Sequence, residues 1–197
     1  MRIERAIESI RTLPSPGGWV RVEQVRKTPG RLELCLGVHM EDRGRRKIGA
    51  WRVICLGVRE AHIVDFDGGG LAIYPTTHPA ARQYAARQAE VRWVAHADGL
   101  AIMGGLYQAH NDAVDDWIPL DRYVAVKPIA GNRCVCKGPD FLMRVYAKAL
   151  RSQGESPRLV LRKTSKSKGT KLRVLHFGAS FVVASEFIAE QYGRDTD

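Results

Sequence analysis

The densest group of side chains that could do acid–base or metal chemistry lies in the middle of the chain. It consists of His110, Asp112, Asp115 and Asp116, and imidazole and carboxylate groups are common ligands of catalytic cations. Residues four apart share a face of a helix, which pairs His110 with Val114 rather than with an aspartate. We therefore interpret this segment as the solvated C-terminal end of a helix and predict no metal ligand in it.

The four cysteines lack the spacing of a four-thiolate zinc site, which needs two closely spaced pairs. Only Cys134 and Cys136 are close, and the single residue between them places both on one face of an extended strand. Cys35 and Cys55 lie within apolar segments, where a reduced cysteine acts as a small buried hydrophobe. We predict neither a metal centre nor a disulfide framework.

Two glycine-containing stretches have the composition of phosphate-binding loops without their order. They are Gly68-Gly69-Gly70 and Lys168-Gly169-Thr170. A Walker loop requires an upstream glycine and a following helix, and a dinucleotide fold requires Gly-x-Gly-x-x-Gly between a strand and a helix. The Gly-x-Ser-x-Gly nucleophile elbow does not occur either. The sequence therefore favours a non-catalytic protein that uses no cofactor.

Charge is unevenly distributed along the chain. The 31 Lys and Arg residues exceed the 21 Asp and Glu residues by ten, which favours an acidic or phosphate-rich partner. The segment from Glu60 to Arg122 has four positive and nine negative residues, whereas the segment from Arg144 to Arg173 has ten positive residues and one negative. The candidate partner-binding residues are the cations of two predicted turns: Arg43, Arg45, Arg46, Arg162, Lys163, Lys166, Lys168 and Lys171.

Hydrophobic periodicity predicts the elements that must position these residues. In the first half we predict a helix over 2–13, a hairpin of strands 19–25 and 31–40, further strands at 48–58, 61–64 and 71–74, and a helix from 78 to about 88. In the second half we predict strands at 91–95, 133–136, 158–163, 172–177 and 180–184, helices over 99–114 and 139–153, and a short terminal helix. The strands at 158–163 and 172–177 are expected to form a hairpin with the lysine-rich segment at its tip. The 99–114 helix is expected to turn Leu100, Met103, Leu106, Tyr107 and His110 toward a sheet.

The order of these elements predicts an α+β fold, mainly antiparallel sheet with three to five helices packed on one face. The 197 residues suit a single compact domain over 1–197, with a soft subdomain boundary near 124–132. No run approaches the roughly 18 apolar residues of a membrane span. Glu4 and Glu8 interrupt the N-terminal segment where a signal peptide has its apolar region. We expect a cytoplasmic protein that does not bind a membrane.

Five short stretches resemble a loose group of small bacterial proteins without an established activity. They are Trp51–Glu60, His78-Pro79, Gly105–His110, Asp116–Tyr123 and Lys137-Gly138-Pro139. The general character of this group, a compact α+β fold without a catalytic motif, is similar to that of immunity proteins from bacterial toxin systems. The resemblance implies a protein that neutralises a toxin by covering its active site.

Two functional hypotheses follow. The first is a non-catalytic protein that binds an acidic toxin or effector, because segregated charge steers and orients a partner of opposite pattern. The second is a nucleic-acid-binding protein that uses the basic C-terminal hairpin, whose lysines would neutralise backbone phosphates.

Overall fold

The computed structural model describes residues 3–11, 19–41, 45–64, 67–68, 70–94, 99–129, 133–162 and 171–192. The contacts divide the chain into two compact units. The first comprises Met1–His78 and Lys171–Asp197, and the second comprises Pro79–Thr170. The first unit therefore consists of the two ends of the chain, and the second unit is one continuous segment inserted between them.

The first unit contains one described helix and two antiparallel sheets. Helix α1 is Ile3–Arg11. The five-stranded sheet has the order β13-β3-β2-β1-β5 and the four-stranded sheet the order β4-β12-β11-β6. Their strands are β1 Trp19–Thr28, β2 Arg31–Glu41, β3 Arg45–Leu56, β4 Glu60–His62, β5 Asp67–Gly68, β6 Leu71–Tyr74, β11 Arg173–Phe177, β12 Ser180–Ala184 and β13 Glu186–Tyr192.

The core of the first unit joins its two sheets. Val22, Leu34 and Val53 from the five-stranded sheet and Leu175 and Val182 from the other belong to one buried cluster. The predicted hairpin of β1 and β2 is confirmed, and Thr28 pairs with Arg31 across its turn. Gly30 in that turn has φ +70°, a left-handed conformation that glycine adopts without strain.

The second unit is a four-stranded antiparallel sheet covered by helices. The sheet order is β10-β7-β9-β8. Its strands are β7 Gln88–Val94, β8 Val124–Ile129, β9 Arg133–Pro139 and β10 Arg158–Leu161, and its helices are α2 Pro79–Ala85, α3 Gly99–Val114 and α4 Asp140–Ser152, with 3-10 turns at Asp115–Trp117 and Leu120–Arg122. Val91 and Trp93 of β7 share a core with Leu106 of α3 and Leu142 of α4. One face of this sheet therefore packs on helices.

The predicted α+β class and antiparallel pairing are confirmed, but the layout differs from one sheet with a helical face. The described strands form three small sheets. The soft boundary predicted near 124–132 covers β8, which pairs with β9, and it stays a prediction. The two contact units meet at His78/Pro79 and Thr170/Lys171. The single domain over 1–197 stays a prediction.

Three details of the predicted elements are wrong. Strand β10 pairs with β7, and β11 pairs with β12 and β6, so the hairpin expected between residues 158 and 177 does not form. The terminal helix is the strand β13, which pairs with β3. In α3, Leu106 and His110 are buried as predicted and Met103 packs against the core, but Leu100 and Tyr107 are exposed. The buried residues Ile102, Leu106, His110 and Val114 are spaced by four residues, so the buried face only partly overlaps the expected one.

Candidate functional site

The second unit presents charged side chains on the face of its sheet that does not pack on helices. Side chains alternate between the two faces of a strand. In β7, Ala89, Val91 and Trp93 belong to the core, which places Glu90 and Arg92 on the opposite face. These two residues are the centre of the candidate site.

Strand register brings further cations next to Glu90 and Arg92. Glu90 lies opposite Lys137 of β9 and Val160 of β10. Arg92 lies opposite Arg158 of β10. Antiparallel neighbours of this kind have Cβ atoms roughly 4.5–5.5 Å apart. Three strands that are distant in sequence thus contribute to one surface.

Glu90 is buried, and three cations surround its carboxylate. It is 3% exposed. Arg92 donates from Nε and Nη2 to Oε2, at 3.0 and 2.5 Å. Arg162 donates from Nε to Oε1 at 2.8 Å and also from Nη2. The Nζ atom of Lys137 is 3.8 Å from Oε1. Hydrogen bonds from Arg92 and Arg162 hold the pKa of Glu90 below its ordinary value, against the opposite effect of burial.

We call Glu90, Arg92, Lys137, Arg158 and Arg162 the Glu90 face. It combines four cations with one carboxylate. The side chains of Arg92, Lys137 and Arg162 are 59, 61 and 52% exposed, so their outer surfaces remain open to solvent. The Glu90 face is therefore a fixed cationic surface, because the buried carboxylate orients the guanidinium groups that cover it.

One pair in the Glu90 face opposes folding stability. Arg92 and Arg158 are directly opposite on neighbouring strands, an arrangement in which like charges are destabilising. A bound anion would relieve this repulsion. Apolar side chains stand beside the cations, since Val94 of β7 is 44% exposed and Val160 is half-buried. The surface can therefore take an anionic group together with apolar contacts.

The structure places only part of the predicted binding set. Arg162 lies in the Glu90 face, whereas Lys171 is an exposed residue of the first unit. Arg45 and Arg46 belong to β3, where they pair with Glu41 and Met40, and their side chains lie outside the described part of the chain. Arg43, Lys163, Lys166 and Lys168 also lie outside the described residues.

Sequence reasoning missed Arg92, Lys137 and Arg158 as members of this surface. The alternation of Glu90 and Arg92 is visible in the sequence, but the preceding helix was expected to run to residue 88, and it ends at Ala85. The predicted strand therefore began after Glu90. The cross-strand partners carry no local signal, because they come from β9 and β10.

The group around His110 is divided between core and surface. His110 is 1% exposed. Its Nδ1 atom is 2.7 Å from the Tyr146 hydroxyl and its Nε2 atom 2.5 Å from the carbonyl oxygen of Ile118. The carbonyl can only accept, so Nε2 donates to it and Nδ1 accepts from Tyr146. His110 is thus a buried structural residue, which agrees with its prediction on the sheet-facing side of the 99–114 helix and corrects its assignment to a solvated helix end.

Asp112 faces away from His110. It is exposed, and its Oδ1 atom accepts a hydrogen bond from Gln108 at 2.8 Å. Among the described residues, no three His, Cys, Asp or Glu side chains come together as a metal-binding group. The buried imidazole of His110 and the exposed carboxylate of Asp112 therefore do not belong to one site.

The cysteines with described side chains are buried and reduced. Cys35, Cys55 and Cys136 are free thiols, which confirms the core interpretation of Cys35 and Cys55. Burial raises the pKa of Cys55 to about 12, so this thiol is a poor nucleophile. Cys134 lies in β9 as predicted, and its side chain is outside the described residues.

Comparison with protein-family models, with curated proteins and with solved structures finds no match to this chain. In the part of the chain that the structure describes, no helix is both long and apolar enough to cross a membrane.

Proposed function

We propose that this protein is a non-catalytic binding protein that takes an acidic protein partner on the Glu90 face. The observation that supports it best is the paired Arg92 and Arg158, two like charges directly opposite each other beside a buried carboxylate. Such a pair costs stability in the free protein. An anionic partner group would turn that repulsion into attraction for both guanidinium groups.

Apolar side chains favour a protein partner over a nucleic acid. Val94 and Val160 stand among the cations, and apolar area together with arginine is typical of protein interfaces. Backbone phosphates would use only the charges. The specific form of this proposal is an immunity-type role in the cytoplasm. The bound protein is then a toxin with an acidic active-site rim.

A nucleic acid is the alternative partner, and the same four cations favour it. They lie on one face of a sheet, where they would neutralise phosphates and release counterions. The basic C-terminal hairpin of the original hypothesis does not form, because β10 and β11 belong to different sheets. The Glu90 face replaces it as the surface to test.

The test compares Arg158→Glu with a matched control. Arg158 is exposed and does not bond Glu90 among the described contacts, so its reversal changes the surface without removing the ion pairs of Glu90. Arg26→Glu reverses an exposed cation of β1 in the first unit. The tagged wild type and both variants are incubated with extract of the native host, with and without nuclease treatment, and washed at graded salt. Recovered proteins are then purified and titrated by calorimetry.

The expected result is one acidic protein recovered by the wild type and by Arg26→Glu. Its affinity for Arg158→Glu should be at least about tenfold weaker, as for a central charged contact. Equal affinity for all three proteins would reject the Glu90 face as the site. Recovery, before nuclease treatment, of nucleic acid that salt removes and that Arg158→Glu fails to bind would instead support the alternative partner.

A further inference from the structure

A crevice runs between α3 and α4 on the side of the second unit away from the Glu90 face. The two helices are antiparallel, since His110 near the end of α3 meets Tyr146 in the middle of α4 and Gln153 after α4 donates to the carbonyl of Ala101 near the start of α3. Core residues of both helices pack on the sheet face that carries Val91 and Trp93. The crevice and the Glu90 face are therefore on opposite sides of the sheet.

Small side chains form the floor of this crevice and polar side chains its edges. The space measures about 520 Å³ and is lined by Gly105, Gln108, Ala109, Asp112, Ala113, Val145, Lys148, Ala149 and Ser152. Small residues let another helix approach closely, because interaxial distance depends on the side chains at the contact. The crevice is thus shaped for a helix rather than for a compact ligand.

The two edges of the crevice carry opposite charges. Helix α3 contains no lysine or arginine, and its exposed carboxylate is Asp112. Helix α4 has the exposed cations Arg144, Lys148 and Arg151. Among the described residues no ion pair joins Asp112 to Lys148. The acidic middle and the basic end of the sequence therefore meet here as neighbouring helices.

We infer that the α3–α4 crevice is a self-association surface, and that its occupant is the α3–α4 pair of a second copy. A two-fold axis along the crevice places α3 of each copy over α4 of the other. Asp112 then faces Lys148 of the partner subunit, and the same contact occurs twice, as an isologous interface requires. The antiparallel pairing puts Asp112 and Lys148 within about one helical turn of each other along the crevice.

The net charge of the chain limits where a second copy can bind. At +10, two copies repel each other through most of their surfaces. In the α3–α4 crevice, Asp112 of each copy facing Lys148 of the other replaces this repulsion with attraction. The inference is independent of the proposed function, since it uses none of the residues of the Glu90 face.

The test is a charge swap across the two-fold axis in the full-length protein. Asp112→Lys and Lys148→Asp each place like charges opposite each other in the dimer, whereas the double variant restores opposite charges. Both positions are exposed, and far-UV circular dichroism checks that each variant is folded. Molar mass is measured by light scattering after gel filtration, over a concentration series at low and high salt.

Wild-type protein should reach twice the 22.0 kDa of one chain toward the highest concentrations of the series. Each single variant should be monomeric under the same conditions, and the double variant should again be a dimer. An equimolar mixture of the two single variants should form a heterodimer, because every facing pair is then of opposite charge. A wild type that is monomeric throughout, or single variants that dimerise as the wild type does, would overturn the inference.

Discussion

Glu90 and His110 are both buried polar side chains of the second unit, and their partners give them different roles. His110 has one donor and one acceptor contact, to the Ile118 carbonyl and the Tyr146 hydroxyl. Both ring nitrogens have hydrogen-bond partners, so the imidazole stabilises the core as a fully bonded buried group. Glu90 is instead surrounded by cations, and it acts as the fixed anion around which a surface is organised.

Removing the Tyr146 hydroxyl should destabilise the protein. Tyr146→Phe leaves Nδ1 of the buried His110 without its donor, and an unsatisfied buried acceptor costs about 1–3 kcal/mol. Tyr107→Phe is the matched control, because Tyr107 is 55% exposed. Urea denaturation measures the free energy of unfolding of both variants. Equal stability of the two would contradict the structural role of the hydrogen bond.

Neutralising Glu90 should destabilise the folded state and make its free energy of unfolding less dependent on pH in the acid range. Glu90→Gln weakens the hydrogen bonds from Arg92 and Arg162, which should lower the free energy of unfolding by about 1–3 kcal/mol near neutral pH. Because the pKa of Glu90 is held below its ordinary 4.5, its stabilisation is complete above pH 4.5 and is lost as pH falls through the lower folded-state pKa. Urea denaturation between pH 3 and 7 measures both effects. Arg158→Gln leaves these bonds in place and removes the like charge opposite Arg92, so it should instead raise stability by about 0.2–1 kcal/mol.

At the scale of elements, the adjacent glycines Gly104 and Gly105 of α3 have different structural roles. A Cβ atom at Gly104 would meet nothing within 4 Å, whereas one at Gly105 would overlap Nε2 of Gln153. That nitrogen donates to the carbonyl of Ala101 in the same helix. Gly105 therefore makes room for a side chain that ties the end of α4 to α3.

Alanine at these two positions should have different effects on stability. Gly104→Ala should stabilise the protein by about 0.5–1 kcal/mol, the helix preference of alanine over glycine. Gly105→Ala has the same helix preference, but it displaces Gln153 and removes its hydrogen bond to Ala101. The loss of this bond should lower the free energy of unfolding by about 0.5–1.5 kcal/mol. Thermal unfolding should rank Gly104→Ala above the wild type and Gly105→Ala below Gly104→Ala. The reverse order would show that Gln153 does not depend on Gly105.

At the scale of the whole molecule, two histidines make the folding stability depend on pH. Burial lowers the pKa of both His78 and His176 below 6.5, and the ring of Tyr74 stacks on that of His78 with centroids 4.8 Å apart. Below pH 6.5 the unfolded chain therefore binds more protons than the folded one, so stability falls as pH decreases from there. Each proton also adds to a charge of +10.

The free energy of unfolding should accordingly be lower at pH 5 than at pH 7.5, as measured by urea denaturation at both values. His176→Asn should reduce this difference, since one of the two proton acceptors is gone. The same variant at pH 7.5 gives the effect of the substitution itself. An unchanged difference between the two pH values would exclude His176 as a source of the acid response.

Local elements were largely predictable from the sequence. The helix at 99–114 and the strand at 71–74 have the predicted bounds, and the β1–β2 hairpin follows from two alternating segments around Pro29-Gly30. Periodicity and turn chemistry are properties of neighbouring residues, so a short window of sequence contains them. The buried face of α3 was less predictable, because its orientation depends on which elements pack against it.

The sequence by itself thus determined the class of the fold, most strands and helices, and the separation of an acidic middle from a basic end. Tertiary structure alone decided the partners: β13 pairs with β3 in place of a terminal helix, and β10 pairs with β7 in place of a hairpin with β11. It also decided the Glu90 face, whose residues come from three strands. The physical reason is that strand pairing and side-chain burial depend on residues far apart in the chain, and no local pattern encodes which distant strand supplies them.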